Sequence, residues 1–149
     1  MEKLENYISL EKLEVVCNSI EEAHGLPNEC YLEGGYTKFE RKLLFEDKLV
    51  VIGVASNLKQ KGEAVPFNLL GIPLIILKDK NDKIRVFHNV CSHRGYKLLN
   101  EPCKIKNALR CPYHSWAYDL NGKLVSTPHI GGMDKNDADG FVKSRSDLI

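Results

Sequence analysis

The apolar positions change period partway along the chain. Near the N-terminus Leu10, Leu13, Cys17 and Ile20 recur at 3-4-3 spacing, with Val16 alongside, which is one apolar stripe on a helix. The spacing predicts a helix over about Leu10–Ala23, opened by Ser9 as N-cap and stopped near His24 by Gly25 and Pro27. Cys17 on that stripe is expected to be core, and His24 a partner for the helix C-terminus. After a Pro- and Gly-containing loop, Leu26–Gly35, Thr37 and Glu40 stand at T-x-x-E spacing. That pair predicts a capping box opening a second short helix to about Phe45.

From Lys48 the pattern is that of strands. The β-branched run Val50, Val51, Ile52 and Val54 predicts a first strand, and Val65–Leu70 a second after the polar loop Asn57–Glu63. Pro73–Leu77 and Ile84–His88 read as a hairpin around Lys80-Asn81-Asp82. Leu98–Lys106 reads as an irregular spacer before a short strand at Asn107–Arg110. Trp116–Asp119 and Lys123–Val125 flank Asn121-Gly122, a strong two-residue hairpin signal. Met133–Ile149 shows no capping element and reads as a solvated linker. The expected organisation is a helical lead-in over 1–46, a mainly β domain over 47–132 and a linker over 133–149.

Composition narrows the function classes. At 149 residues the chain suits one domain, and 43% apolar with 28% charged residues is ordinary for a globular protein. A net charge of +1 without a dense Lys/Arg stripe argues against nucleic-acid binding. The longest apolar run, Gly71–Leu77, is far short of a membrane span and suits a buried strand. The opening Met-Glu-Lys-Leu-Glu is too polar and acidic for a signal peptide, so a cytoplasmic protein is expected. Five Cys at irregular spacing do not make a disulfide framework.

The chemistry concentrates in Asn89–His114. Cys91 and His93 form C-x-H, Cys111 and His114 form C-x-x-H, and 17 residues separate the two pairs. Two thiols and two imidazoles suit zinc or an iron–sulfur cluster. A Cys2His2 zinc site usually places both Cys on one knuckle and both His on a helix. Here each loop carries one of each, in the same order. That arrangement suits a two-iron cluster, with both thiolates on one iron and both imidazoles on the other. Cys103 reads as a spacer thiol, because the four-ligand set is complete without it. His88 reads as a strand histidine, and His129, after Pro128, has no second spare His downstream to make another metal site.

C-S-H-R-G followed by C-P-Y-H-S-W resembles the Rieske box of the ring-hydroxylating oxygenases, Rieske non-haem iron enzymes. The likeness runs from about Tyr31 to Gly132. It takes in the Y-T-x-F-E-R-x-x-L-F lead-in, the F-H-N-V-C approach strand and the W-A-Y-D-L-N-G-K-L exit hairpin. The resemblance implies an antiparallel β-sandwich of Rieske type with a two-loop cluster-binding subdomain. It also implies a 2Fe-2S cluster held by Cys91, His93, Cys111 and His114. High-potential relatives carry a disulfide clamp at positions that correspond to Tyr96 and Tyr113, and a Ser at the position of Trp116. Their absence here points to the low end of the roughly −150 to +300 mV Rieske range. Tyr118 reads equally as a hydrogen-bond donor to a ligand sulfur and as a strand aromatic. The oxygenase pattern has Gly after the second His, where this chain has Ser115.

The function implied is one-electron transfer as the electron-accepting part of an oxidoreductase. A ferredoxin or a flavin- and NAD(P)H-dependent reductase would be the donor. The acceptor would be a mononuclear non-haem iron in a catalytic domain of the same or a neighbouring subunit, often in a trimer. No candidate triad for that iron is seen in this chain, so it reads as an N-terminal piece of an oxygenase or, alternatively, as a standalone Rieske ferredoxin. A structural zinc module is the third reading. Aromatic acids and quaternary amines are both compatible substrates. Arg94, Lys97 and Arg110 are candidates for a positive rim facing an acidic partner, or simply solvated loop charges.

Overall fold

The structure is a computed structural model and describes residues 3–32, 34–46, 48–130, 132–133 and 147–149. Contacts divide the chain into one unit up to Val51 and another from Ile52 onward. Among the described residues no helix is long and apolar enough to cross a membrane.

The first unit is built of short helical turns. Helix α1 spans Leu10–Glu14, and Ser9 caps it as expected, its hydroxyl accepting from the Lys12 N–H at 3.2 Å. The helix predicted to run to Ala23 is much shorter. It tightens into a 3-10 turn at Val15–Cys17 and stops at Asn18, whose ψ of 174° is extended. An isolated helix needs a buried face to persist, and this stripe lacks one: Ile20 is 90% exposed, and Cys17 is exposed rather than core. Helix α2, Gly35–Arg41, begins two residues before Thr37, with Gly34 as cap. The T-x-x-E capping box does not form; the Thr37 hydroxyl donates instead to the Leu32 carbonyl at 2.8 Å. The helix then widens into a π turn at Lys42–Glu46. Tyr7 and Phe39 meet with ring centroids 5.3 Å apart.

Among the described residues the second unit holds seven strands in two antiparallel sheets. They are β1 Glu63–Leu69, β2 Ile72–Lys78, β3 Ile84–His88, β4 Cys103–Lys104, β5 Ala108–Arg110, β6 Ala117–Asp119 and β7 Leu124–Ser126. The sheet orders are β3-β2-β1-β4 and β5-β6-β7. The mainly β, antiparallel architecture is the one expected. Alternation decides the faces of the larger sheet. Ala64, Ile75, Leu77 and Phe87 point into the core. Val65, Phe67, Ile76, Ile84 and Val86 line the other face, over a cavity of about 320 Å3 shared with residues of the 52–58 segment.

Two strand expectations change. Val50–Val54 is not a strand: Val51 is 91% and Val54 65% exposed, and a 3-10 turn follows at Ala55–Asn57. β-branching favours extended backbone, but a strand also needs a neighbour to pair with. Conversely, the spacer contains β4, which pairs Cys103 with Ala64 and Lys104 with Glu63.

The β2–β3 and β6–β7 hairpins turn on the same device. In Asp79-Lys80-Asn81-Asp82-Lys83 the Asp79 carboxylate accepts from the N–H groups of Asn81 at 2.7 Å and Lys83 at 3.0 Å. In Asp119-Leu120-Asn121-Gly122-Lys123 the Asp119 carboxylate accepts from Asn121 at 2.8 Å and Lys123 at 2.9 Å. The left-handed corner falls on Asp82 (φ 63°) and on Gly122 (φ 88°). Gly122 has a second reason to be glycine, since a Cβ there would lie 2.6 Å from the Phe87 ring.

The linker expected over 133–149 lies largely outside the described residues. At its end Leu148 is buried in the core and its N–H donates to the Gly122 carbonyl at 2.8 Å, while Ile149, its side chain exposed, accepts from the His88 N–H at its carbonyl at 2.7 Å.

Candidate metal centre

The two loops that carry the candidate ligands share one backbone circuit. In the first, the Cys91 N–H donates to the Tyr96 carbonyl at 2.8 Å and the Gly95 N–H to the Cys91 carbonyl at 2.9 Å. In the second, the Cys111 N–H donates to the Trp116 carbonyl at 2.7 Å and the Ser115 N–H to the Cys111 carbonyl at 3.0 Å. Each circuit has one left-handed corner, at Gly95 (φ 69°) and at Ser115 (φ 60°). Glycine takes that conformation without strain; a residue with a Cβ does so at a cost of roughly 1–2 kcal/mol. Arg110 braces the strained corner, its guanidinium donating to the Ser115 carbonyl at 3.2 Å.

The scaffold behind the loops explains their placement. The first loop leaves β3 through Asn89, which is fully buried. Its carboxamide accepts from the N–H groups of Leu98 at 3.0 Å and Leu99 at 2.8 Å and donates to the Leu99 carbonyl at 2.6 Å. That clamp returns the chain to the spacer. The second loop is the tip of the β5–β6 hairpin, in which Leu109 pairs with Tyr118 and Arg110 with Ala117.

The circuits bring like side chains together. Cys91 and Cys111 are 1% and 2% exposed. Burial pushes the Cys91 thiol up; Tyr118 and the His93 backbone pull it down, and the neighbouring Cys111 thiol raises it again. The His93 and His114 rings lie 4.9 Å apart between centroids at 63°. Trp116, 1% exposed, stacks on His93 at 4.5 Å, and Tyr113 lies against His114 at 3.7 Å. Tyr96 and Tyr113 meet across the loops at 5.5 Å.

Tyr118 combines its two readings, as an aromatic on β6 and as a hydroxyl within hydrogen-bond reach of Cys91 Sγ. It is fully buried, and its hydroxyl lies 3.3 Å from Cys91 Sγ, 3.0 Å from the Ser92 N–H and 2.9 Å from Ser92 Oγ. Burial, and then the bond to Cys91, push its pKa up to about 12, so the phenol keeps its proton at neutral pH. Ser92 is the residue that sequence reasoning passed over. It is the unspecified position of C-x-H, and nothing local announces a partner 26 residues away.

His88 and Cys103 stand outside the two loops, and His129 lies at their border. His88 and His129 are exposed and Cys103 lies on β4. His129 (φ 63°) does border the site, in a Pro128–Ile130 loop that lines a cavity of about 510 Å3 with His93, His114 and Trp116. Arg94, Lys97 and Arg110 are all exposed.

A model of the Rieske [2Fe-2S] domain matches residues 48–137. This chain belongs to the Rieske family. It is 30% identical over 134 residues to the carnitine monooxygenase oxygenase subunit of Acinetobacter baumannii, covering 87% of this chain and 36% of that protein. It is 31% identical over 111 residues to the glycine betaine monooxygenase oxygenase subunit of Chromohalobacter salexigens, covering 74% of this chain and 25% of that protein. Among solved structures, a quaternary ammonium Rieske monooxygenase described for carnitine oxidation by gut microbiota and inter-subunit electron transfer aligns with a TM-score of 0.69. It is 27% identical and covers 83% of this chain and 32% of that one. The Rieske chain thus spans about a quarter to a third of the length of these relatives.

A Rieske 2Fe-2S cluster is the cofactor of this family, and the donor set suits it. His114 Nδ1 is buried with no hydrogen-bond partner among the described residues. A buried nitrogen left so is costly unless its lone pair has a metal to meet. Thiol beside thiol and imidazole beside imidazole is the sorting that a two-iron core needs.

Proposed function

We propose that Cys91, His93, Cys111 and His114 hold the Rieske cluster and that the domain transfers single electrons as the electron-accepting part of a Rieske oxygenase. The observation that carries this reading is the buried, unpartnered Nδ1 of His114, set beside the second imidazole and apart from a pair of adjoining thiols. When bound, the cluster supplies reversible one-electron chemistry at a potential raised by its two imidazole ligands.

The chain's own side chains set the conditions for that chemistry. Cys91 and Cys111, nearly inaccessible, keep water from the sulfur end. His93 and His114 are partly exposed and form the edge through which an electron leaves the domain. Trp116 fixes the plane of His93 by stacking, and Tyr113 lies tilted against His114. Tyr118 donates its proton to the Cys91 sulfur and so favours the more negative, reduced state.

In this reading a cytoplasmic ferredoxin or flavin-dependent reductase delivers the electron. The acceptor is a mononuclear iron in a catalytic domain on the same or an adjoining subunit of a homo-oligomer, with a trimer the expected form. The relatives named above favour an oxygenase acting on a quaternary amine. Analysis of anaerobically prepared protein tests the core of the proposal. Iron and acid-labile sulfide near two each per chain, with a reduced-state paramagnetic signal of mixed nitrogen and sulfur ligation, are expected. Zinc-loaded, colourless protein would overturn it. A monomer that mediates electrons freely between a reductase and a separate oxygenase would instead favour a Rieske ferredoxin.

A further inference from the structure

We infer that Ser92 is a positioning residue that sets the direction of the Tyr118 proton, through a one-way chain from the Ser92 hydroxyl to the Tyr118 hydroxyl to the Cys91 sulfur. The inference rests on the reading of Cys91 as a cluster ligand. A phenolic oxygen has one proton to give and two lone pairs to fill. Tyr118 Oη has three neighbours within reach: the Ser92 N–H at 3.0 Å, Ser92 Oγ at 2.9 Å and Cys91 Sγ at 3.3 Å. The Ser92 N–H can only donate, which uses the first lone pair. A metal-bound thiolate has no proton, so Cys91 Sγ can only accept, which uses the single phenolic proton. The one remaining role for Ser92 Oγ is to donate into the second lone pair. Every capacity of the buried phenol is then filled, and no alternative arrangement of protons satisfies all three neighbours.

Two consequences follow from that accounting. A donor behind the phenol polarises its O–H and strengthens the bond that it gives to sulfur. The Ser92 hydroxyl also removes the competing orientation, in which the phenol donates to serine and leaves the sulfur bare. The Ser92 N–H alone holds the ring but does not choose the direction of the proton.

The test is a double-mutant cycle read as reduction potential in the cluster-loaded chain. Tyr118→Phe should lower the equilibrium constant for reduction about tenfold, or about 59 mV for a one-electron couple. Ser92→Ala should lower it about threefold, or about 28 mV on the same conversion, while Ser92→Thr, which keeps a hydroxyl, should restore the parent value. In a Tyr118→Phe background Ser92→Ala should add nothing, because there is no phenol left to direct. Equal shifts of Ser92→Ala in both backgrounds, or no shift in either, would overturn the inference. A second readout covers a variant that loads poorly. The reduced parent protein should show one strongly coupled exchangeable proton at the cluster, lost in Tyr118→Phe; its absence from the parent also counts against the inference. A parent chain that binds neither iron nor sulfide would overturn the ligand assignment itself, and the role of Ser92 with it.

Discussion

Residues 91–96 and 111–116 follow the same hydrogen-bonded path, yet the first turns its left-handed corner on Gly95 and the second on Ser115. The first ends on an exposed Tyr96 and the second on a buried Trp116. Of the two loop cysteines, Cys91 carries a phenol, that of Tyr118, on its sulfur. The circuit fixes where each Cys and His sits, and the side chains around it decide how stiffly each loop is held. The second loop is stiffened by Trp116 packing, at the cost of a strained corner. The first is relaxed at its corner and is held by polar bonds from Tyr118 and from Asn89 beneath it.

The comparison breaks entirely if a proposed ligand is removed. Cys91→Ser and His114→Ala should each abolish cluster uptake, seen as loss of iron, sulfide and visible absorption, whichever loop is hit. The aromatic ends should separate the loops next. Trp116→Ala should cost about 3–5 kcal/mol in denaturant unfolding, whereas Tyr96→Ala, at a half-exposed site, should cost about 1 kcal/mol or less. Equal costs would mean that the loops are supported alike. The corners differ by a smaller amount and in sign. Gly95→Ala should destabilise by about 1 kcal/mol, and Ser115→Gly should be neutral or stabilising by a similar amount; a loss of stability in Ser115→Gly would show that its side chain holds the corner.

The smallest effect lies in the turn that leads into the first loop. Burial pushes the Asp79 carboxyl up, but the Arg85 guanidinium at 2.8 Å and the two backbone donors of the turn outweigh it and hold the carboxyl below the usual range. A lowered folded-state pKa adds stability above the unfolded value near 4, and that stability is lost as the pH falls through the lower folded value. Asp79→Asn should therefore flatten the acid limb of a stability–pH curve below about pH 4. An unchanged acid limb would show that other carboxylates set it.

Much of this was legible before any coordinates. The hairpins at Asp79–Lys83 and Asp119–Lys123 announce themselves because Asp, Asn and Gly act on backbone two to four residues away. Strands β1 to β3 show as apolar and β-branched runs between turn residues, and the two Cys/His pairs show in their spacing. The departures from local pattern share a cause. The Leu10–Ala23 stripe and the Val50–Val54 run have the right periods, but a period becomes an element only when a partner buries or pairs it. Thr37 has the right spacing to cap, yet the helix already starts at Gly35.

The sequence by itself determined which four side chains offer sulfur and nitrogen, the order in which they come, and the mainly β frame around them. Those are matters of residue type and local backbone chemistry, which operate over a few positions. Tertiary structure alone decided that Tyr118 reaches Cys91 and Ser92, that Trp116 lies flat on His93, that Ser115 is forced into a left-handed corner, and that His114 keeps a buried nitrogen open. Each of these depends on two segments meeting across the sandwich or on a closed loop overriding a residue's preference, and no local rule encodes the distance between them.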